Sequence, residues 1–131
     1  MAAIKVTVCV PVYGVEKYIG KCVRSLMEQT YPEIEYLFVD DCTKDRSMEV
    51  LEQTLQDYPD RRSAVRTVRH DHNRGLAAAR KTAVEQATGE YVIHVDSDDY
   101  LSTDAVSLLV QKAEDTGADI VVGDLNFVSI S

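Results

Sequence analysis

The feature that most constrains this chain is a repeated change of hydrophobic period along its 131 residues. Short β-branched runs alternate with segments whose apolar residues recur every three or four positions. Lys5 to Pro11 reads as a buried strand ended by proline. From about Tyr18 to Gln29 the apolar residues Ile19, Cys22, Val23, Leu26 and Met27 share one helical face, and Tyr31-Pro32 stops the helix. Ile34 to Val39 is a second strand, followed by the polar loop Asp40 to Asp45 and a helix facing inward through Met48, Leu51 and Leu55, which Tyr58-Pro-Asp60 ends. Ala64 to Arg69 is a weaker third strand. His70 to Gly75 leads into an alanine-rich helix with Leu76, Ala79, Ala83 and Ala87 on one side, and Gly89 is expected to close it in the left-handed conformation. Tyr91 to Val95 is a fourth strand, a helix capped by Ser102 or Thr103 carries Ala105, Leu108, Leu109 and Ala113 inward, and Ile120 to Val122 begins a fifth strand.

The resulting βαβαβαβαβ order predicts an α/β fold with a mostly parallel sheet and helices on both faces, because parallel neighbours need right-handed helical crossovers. The length suits one domain. With 45% hydrophobic residues, 6 Gly and 3 Pro, the chain carries enough apolar surface to offset ordering entropy, which excludes disordered and collagen-like classes. Its longest apolar stretch, Val6 to Val15, is broken by Thr7 and Pro11 and falls short of the ~20 residues of a membrane span. The N-terminus shows no basic-then-apolar leader, so a cytoplasmic location is expected. A formal net charge of −8 argues against nucleic acid as a partner. Arg61, Arg62, Arg66 and Arg69 cluster, and read as a solvated loop and strand edge. Cys9, Cys22 and Cys42 lack metal-ligand spacing and read as free thiols, the first two in the core.

In parallel sheets ligands bind beyond the carboxyl ends of the strands. Polar clusters sit at those ends here: Pro11 to Glu16, Asp40 to Asp45 and Asp96 to Asp99. Gathering carboxylates along one rim costs stability unless a cation or hydrogen bonds offset their repulsion. On an extended backbone Asp96 and Asp98 point one way and Asp99 the other. These hard oxygen donors suit magnesium or manganese bridging to a diphosphate, and equally describe an acidic turn before a helix. Asp40-Asp41 offers a carboxylate to the ring N–H of a base, or an Asx turn with Asp45 capping the next helix. Tyr13 beside Gly14 offers a stacking surface, or is a partly buried loop aromatic. The glycine of Asn73-x-Gly75 precedes a helix whose N-terminal amides are suited to an anion, and Arg80 is suited to a phosphate or to a rim aspartate. His70, Asp71 and His72 have the residue types of a metal site, but adjacent loop residues rarely converge without further ligands.

Taken in order, these segments resemble the family 2 glycosyltransferases, which have a GT-A nucleotide-diphospho-sugar fold. Val8-Cys-Val-Pro-Val-Tyr-Gly-Val-Glu-Lys-Tyr-Ile19 is similar to the family's opening strand and loop, with glycine at position 14 where asparagine is commoner. Ser25 to Pro32 resembles the end of its first helix. Val39-Asp-Asp-Cys-Thr-Lys-Asp-Arg-Ser47 resembles its Asp-Asp-Gly-Ser-Thr-Asp-x-Ser segment, departing at Cys42, Thr43 and Lys44. Asn73 to Arg80 and Thr88 to Asp99 complete the series. The resemblance implies that Pro11, Tyr13, Glu16 and Asp41 line the nucleoside pocket, with Asp41 on the uracil. It also implies that Asp96, Asp98 and Asp99 hold the ribose and the diphosphate with a divalent manganese or magnesium ion, Asp98 and Asp99 being the metal ligands. The implied reaction transfers a sugar from a nucleotide-diphosphate donor, UDP-linked by this reading, to the hydroxyl of a saccharide or lipid-linked acceptor, usually with inversion.

No residue matches the family's catalytic base. The expectation is therefore a single donor-binding domain over 1–131 that lacks the acceptor half and does not transfer sugar efficiently by itself, in a full-length protein placed in the cytoplasm or at the inner membrane face. The apolar run Ile120 to Ile130 is expected to leave an edge open to pairing with a second copy as a homodimer. A phosphoacceptor receiver domain is also a small acidic βα repeat, but its acidic pair follows the first strand, where this chain has Pro11-Val-Tyr. A dinucleotide-binding oxidoreductase wants GxGxxG at that point, which is absent. A non-catalytic nucleotide-sugar-binding module is the third alternative.

Overall fold

The computed structural model describes residues 4–116. Its elements are β1 (Val6–Val12), α1 (Ile19–Met27), β2 (Ile34–Asp40), α2 (Ser47–Leu55), α3 (Pro59–Arg62), β3 (Val65–Arg69), α4 (Leu76–Gln86), β4 (Tyr91–His94) and α5 (Ala105–Thr116). The four strands form a parallel sheet in the order β3-β2-β1-β4. The fifth strand expected at Ile120 to Val122 and the open edge over Ile120 to Ile130 lie outside the described residues.

Alternation along the strands divides the core into two layers. Val6, Val8, Val10 and Val12 of β1, with Ile34, Tyr36 and Phe38 of β2, enter the larger cluster beneath α1, α2 and α5. Cys9, Leu37 and Val39 point to the opposite face, where Ala79 and Ala83 of α4 cover them. Small alanines let α4 lie close against β1 and β2. The path follows from handedness: β1, β2 and β3 step in one direction with α1 and α2 above one face, and α4 then returns along the other face to add β4 beside β1. The order thus reverses between β1 and β4. In open parallel sheets that reversal opens a crevice at the strands' carboxyl ends.

Two helices keep most of the expected inward face, with Ala79 and Ala83 of α4 and Ala105, Leu109 and Ala113 of α5 packed on the core, but each leaves one expected leucine outside. Leu76 is 52% exposed and Leu108 55% exposed, while Val106 and Val110 turn inward with Ala105 and Ala113. Alanine at neighbouring positions makes the periodicity of α4 nearly flat, and both faces of α5 carry aliphatics, so local period does not separate Leu76 and Leu108 from the inward residues. The stop at Tyr58-Pro-Asp60 is followed by the short α3, with Pro59 in its first turn.

Gly89 is required for a different reason from the one expected. A Cβ there would lie 2.6 Å from the backbone N of Thr7 and 2.7 Å from its hydroxyl, so it is contact across the sheet edge that needs glycine. The Gly89 N–H donates to Thr7 Oγ1 at 2.8 Å. Thr7 Oγ1 in turn donates to Glu35 Oε2 at 2.7 Å, and Glu35 also accepts from Thr88 N, Thr88 Oγ1 and Arg66 Nε. Arg66 is therefore a cross-link rather than a solvated charge. So is Arg61, which donates to the carbonyls of Gln29 and Tyr31 and to the Tyr36 hydroxyl. Arg62 pairs with Glu52 and Arg69 approaches Asp40 at 3.7 Å. Cys9, Cys22 and Cys42 are free thiols, and Cys9 and Cys22 are buried. Among the described residues no helix is long and apolar enough to cross a membrane.

Candidate functional site

A cleft of about 400 Å³ opens at the carboxyl ends of the strands, where the order reverses. Pro11, Tyr13 and Val15 line it after β1, Asp41 after β2, Asn73, Gly75, Leu76 and Ala79 around the start of α4, and Asp96, Ser97 and Asp98 after β4. Five of the seven residues expected at the site line this cleft. Glu16 does not. Its carboxylate accepts from the Arg46 N–H at 3.4 Å and its own N–H donates to Asp45 Oδ2, so it faces the β2–α2 loop. Asp99 joins Asp96 and Asp98 in an acidic group without lining the cleft.

The loop after β1 is held in place from the loop after β2. The Gly14 N–H donates to Thr43 Oγ1, the Val15 N–H to Ser47 Oγ, and Thr43 and Ser47 both donate their hydroxyl protons to Asp45 Oδ1. Burial acts against the Asp45 carboxylate, but the bonds from Ser47, Thr43 and Glu16 N outweigh it and bring its pKa down to about 2. Cys42, where the family pattern has glycine, sits at φ 60°, the left-handed conformation that a side chain disfavours.

Asp41 is only 3% exposed. Its Oδ1 accepts from the Arg74 N–H at 2.8 Å and lies 2.8 Å from His70 Nδ1, and its Oδ2 accepts from the Gly75 N–H at 2.9 Å. The loop before α4 can deliver these amides because Gly75 takes φ 93°, as glycine does without a steric cost. This corrects one expectation: the anion met by the amides ahead of α4 is Asp41 itself. Burial pushes the Asp41 carboxyl up, but the bonds from Arg74 N, His70 and Gly75 N hold it below the usual carboxylate range. A carboxylate offers about four lone-pair sites, and three are taken. One remains in a residue that lines the cleft.

After β4 the chain turns rather than continuing extended, and the Asp99 N–H donates to the Asp96 carbonyl at 3.0 Å. The expectation of opposed side chains is corrected by this turn. Asp96, Asp98 and Asp99 bring carboxylate oxygens within 4.8 Å of one another. Burial, then the charges of Asp98 and Asp96, push the Asp99 carboxyl up. Arg80, given two partners above, donates to Asp96 Oδ1 at 3.2 Å. His70 is committed to Asp41 and Thr82 while exposed His72 meets Asp71, so the three do not form a metal site. Ser97 and Leu76 escaped notice as lining residues: Ser97 carries no charge to mark it, and Leu76 reads as core.

A parallel α/β sheet with an acidic cleft at its strand-order reversal is the architecture of GT-A glycosyltransferases, and solved members superpose on it. Staphylococcus aureus TarS, residues 1–349 in complex with UDP, aligns with a TM-score of 0.74 at 32% identity over 86% of this chain and 32% of that one. A mannosyltransferase from Pyrobaculum calidifontis in complex with GDP-Man and Mn2+ aligns with a TM-score of 0.79 at 29% identity over 86% of this chain and 33% of that one. The glycosyl transferase family 2 model matches residues 7–130, and the chain belongs to that family. Among curated relatives it is 41% identical to the uncharacterized glycosyltransferase EpsJ of Bacillus subtilis over 88% of this chain and 32% of the relative. It is 39% identical to glycosyltransferase GlyA of Streptococcus pneumoniae over 92% of this chain and 16% of the relative. The chain thus spans about a third or less of the length of these relatives.

Proposed function

We propose that the cleft binds the nucleoside diphosphate portion of a UDP-linked sugar, and that these residues are the donor-binding part of an inverting, metal-dependent glycosyltransferase of surface polysaccharide synthesis. The observation that carries the reading is the convergence of Asp41 with Asp96 and Asp98 on one cleft in a family 2 chain. An ionised Asp41 with a remaining lone pair suits a base that presents a ring N–H, as uracil does and cytosine does not. Pro11 and half-exposed Tyr13 offer the base an apolar surface. The UDP complex of TarS supports the choice of nucleotide, and relatives named for polymer synthesis, such as the poly(ribitol-phosphate) β-glucosyltransferase of Bacillus spizizenii, support the class of product.

The acidic group fits a hard divalent cation: its donors are all carboxylate oxygens, they lie close together, and their mutual repulsion is what a cation relieves. Asp98 and Asp99, with Asp96 beside them, would hold manganese or magnesium, which would stabilise the charge of the departing diphosphate. Arg80 restrains Asp96 from the α4 side. We assign Glu16 to tying the loops after β1 and β2, and assign none of these residues the role of base toward an acceptor hydroxyl. Donor binding without efficient transfer is the activity expected of the 131 residues, with the cytoplasm as their compartment, where buried free thiols such as Cys9 and Cys22 are unremarkable. Sugar transfer by this chain alone would overturn that division of labour.

Calorimetric titration with UDP, with and without manganese, tests the reading. Metal-dependent binding is expected, weakened about tenfold or more by Asp41→Asn, which loses an ionic acceptor, and abolished in its metal dependence by the Asp98→Asn, Asp99→Asn double variant. A folded wild-type chain that binds no UDP refutes the assignment.

A further inference from the structure

We propose that His70, backed by Thr82, is a positioning residue for nucleobase discrimination: it holds Asp41 so that a single acceptor site is left to the base. The inference rests on the donor-pocket reading and adds to it a residue outside the cleft lining. Asp41 and His70 are 3% and 5% exposed, and the two join the ends of β2 and β3. Their separation of 2.8 Å requires a proton on His70 Nδ1, because an ionised carboxylate only accepts. In the neutral ring Nε2 is then an acceptor, and the hydroxyl of Thr82, 2.8 Å away on α4, donates to it. Thr82 thus selects the tautomer that Asp41 needs.

The backbone amides of Arg74 and Gly75 reach Asp41 from one loop. His70 reaches it from a strand end, and holding a carboxylate from two directions fixes its plane. That plane matters because uracil and cytosine differ chiefly in whether the ring nitrogen carries a proton or a lone pair. A fixed acceptor opposes a lone pair at full cost, whereas a carboxylate free to rotate avoids much of it. Removing the imidazole N–H also returns a second acceptor site to Asp41, which then suits the amino group of cytosine. His70 therefore sets the ratio of the two affinities rather than affinity in general.

The test is competitive titration of the wild-type chain and its variants with UDP and with CDP in the presence of manganese, at one pH, after circular dichroism and a cooperative melt have established folding. Wild type is expected to prefer UDP, and His70→Leu to reduce that preference about tenfold, mainly through tighter CDP binding. His70→Asn, which keeps an amide donor near the Nδ1 position, is expected to retain most of the ratio. In an Asp41→Asn background His70→Leu is expected to change nothing further, because its action runs through that carboxylate. Where His70→Leu does not fold, Thr82→Val takes its place and is expected to lower the ratio by a smaller factor, since the ring stays but loses its anchor. A merely structural role would weaken UDP and CDP alike, and that result in a folded variant, or an unchanged ratio, overturns the inference while leaving the donor pocket standing. Failure of the wild-type chain to bind UDP overturns the donor reading and this inference with it.

Discussion

At the scale of single residues, the loops around the cleft carry conformations that the side chains only partly favour. Cys42 holds a left-handed backbone whose cost for a non-glycine residue is about 1–2 kcal/mol, and Cys42→Gly trades that strain against the greater unfolded-state entropy of glycine. The balance predicts a net gain of about 0.5–1 kcal/mol, seen as a higher urea midpoint at unchanged slope. A lower midpoint would mean that packing of the thiol, which points toward the Asp71 carbonyl, outweighs the strain. His70 and Asp41 show how much one buried pair determines here, since the imidazole ties two strand ends, a helix and the carboxylate lining the cleft into one network.

At the scale of elements, a buried polar network adds to the apolar packing that joins the strands. Glu35 on β2 gathers Thr7 from β1, Thr88 from the α4–β4 connection and Arg66 from β3. Burial alone would raise its carboxyl, but the bonds from Thr7 and Thr88, then the Arg66 charge, outweigh it and bring the pKa down to about 2 from an unfolded value near 4.5. The folded value lies below the unfolded one, so the contribution is fully present above about pH 4.5 and is lost as pH falls toward 2. Equilibrium unfolding followed between pH 6 and pH 2 is expected to show Glu35→Gln destabilised at the upper end and converging on wild type at the lower. A constant gap across that range would exclude the ionised network as the cause. Gln29 plays a related part for the acidic segment: its amide donates to the Ser102 carbonyl and accepts from the Val106 N–H, fastening the start of α5 to the end of α1.

At the scale of the whole molecule, the cleft draws on β1, β2, α4 and the segment after β4, so an occupant stabilises the entire sheet at once. UDP with manganese at a hundred times its dissociation constant is expected to add about 2.7 kcal/mol and raise the melting temperature by roughly 10 °C for a domain of this size. Asp41→Asn should shrink that shift at the same ligand concentration, and no shift at saturation would contradict a shared site. The sequence by itself determined the order and kind of the main elements and the positions of the rim carboxylates, because hydrophobic period and strand ends are local properties of the chain. The inward face of α1 follows from period alone, with all five expected residues buried. Tertiary structure alone decided which partner each polar group takes. Asp41 and the amides of Arg74 and Gly75 are more than 30 positions apart, Gly89 meets Thr7 from 82 away, and Asp99 reaches its neighbours through a turn that periodicity does not encode. Apolar period says that a face must be covered; what covers it, and which donors a buried carboxylate then finds, depends on how the sheet closes.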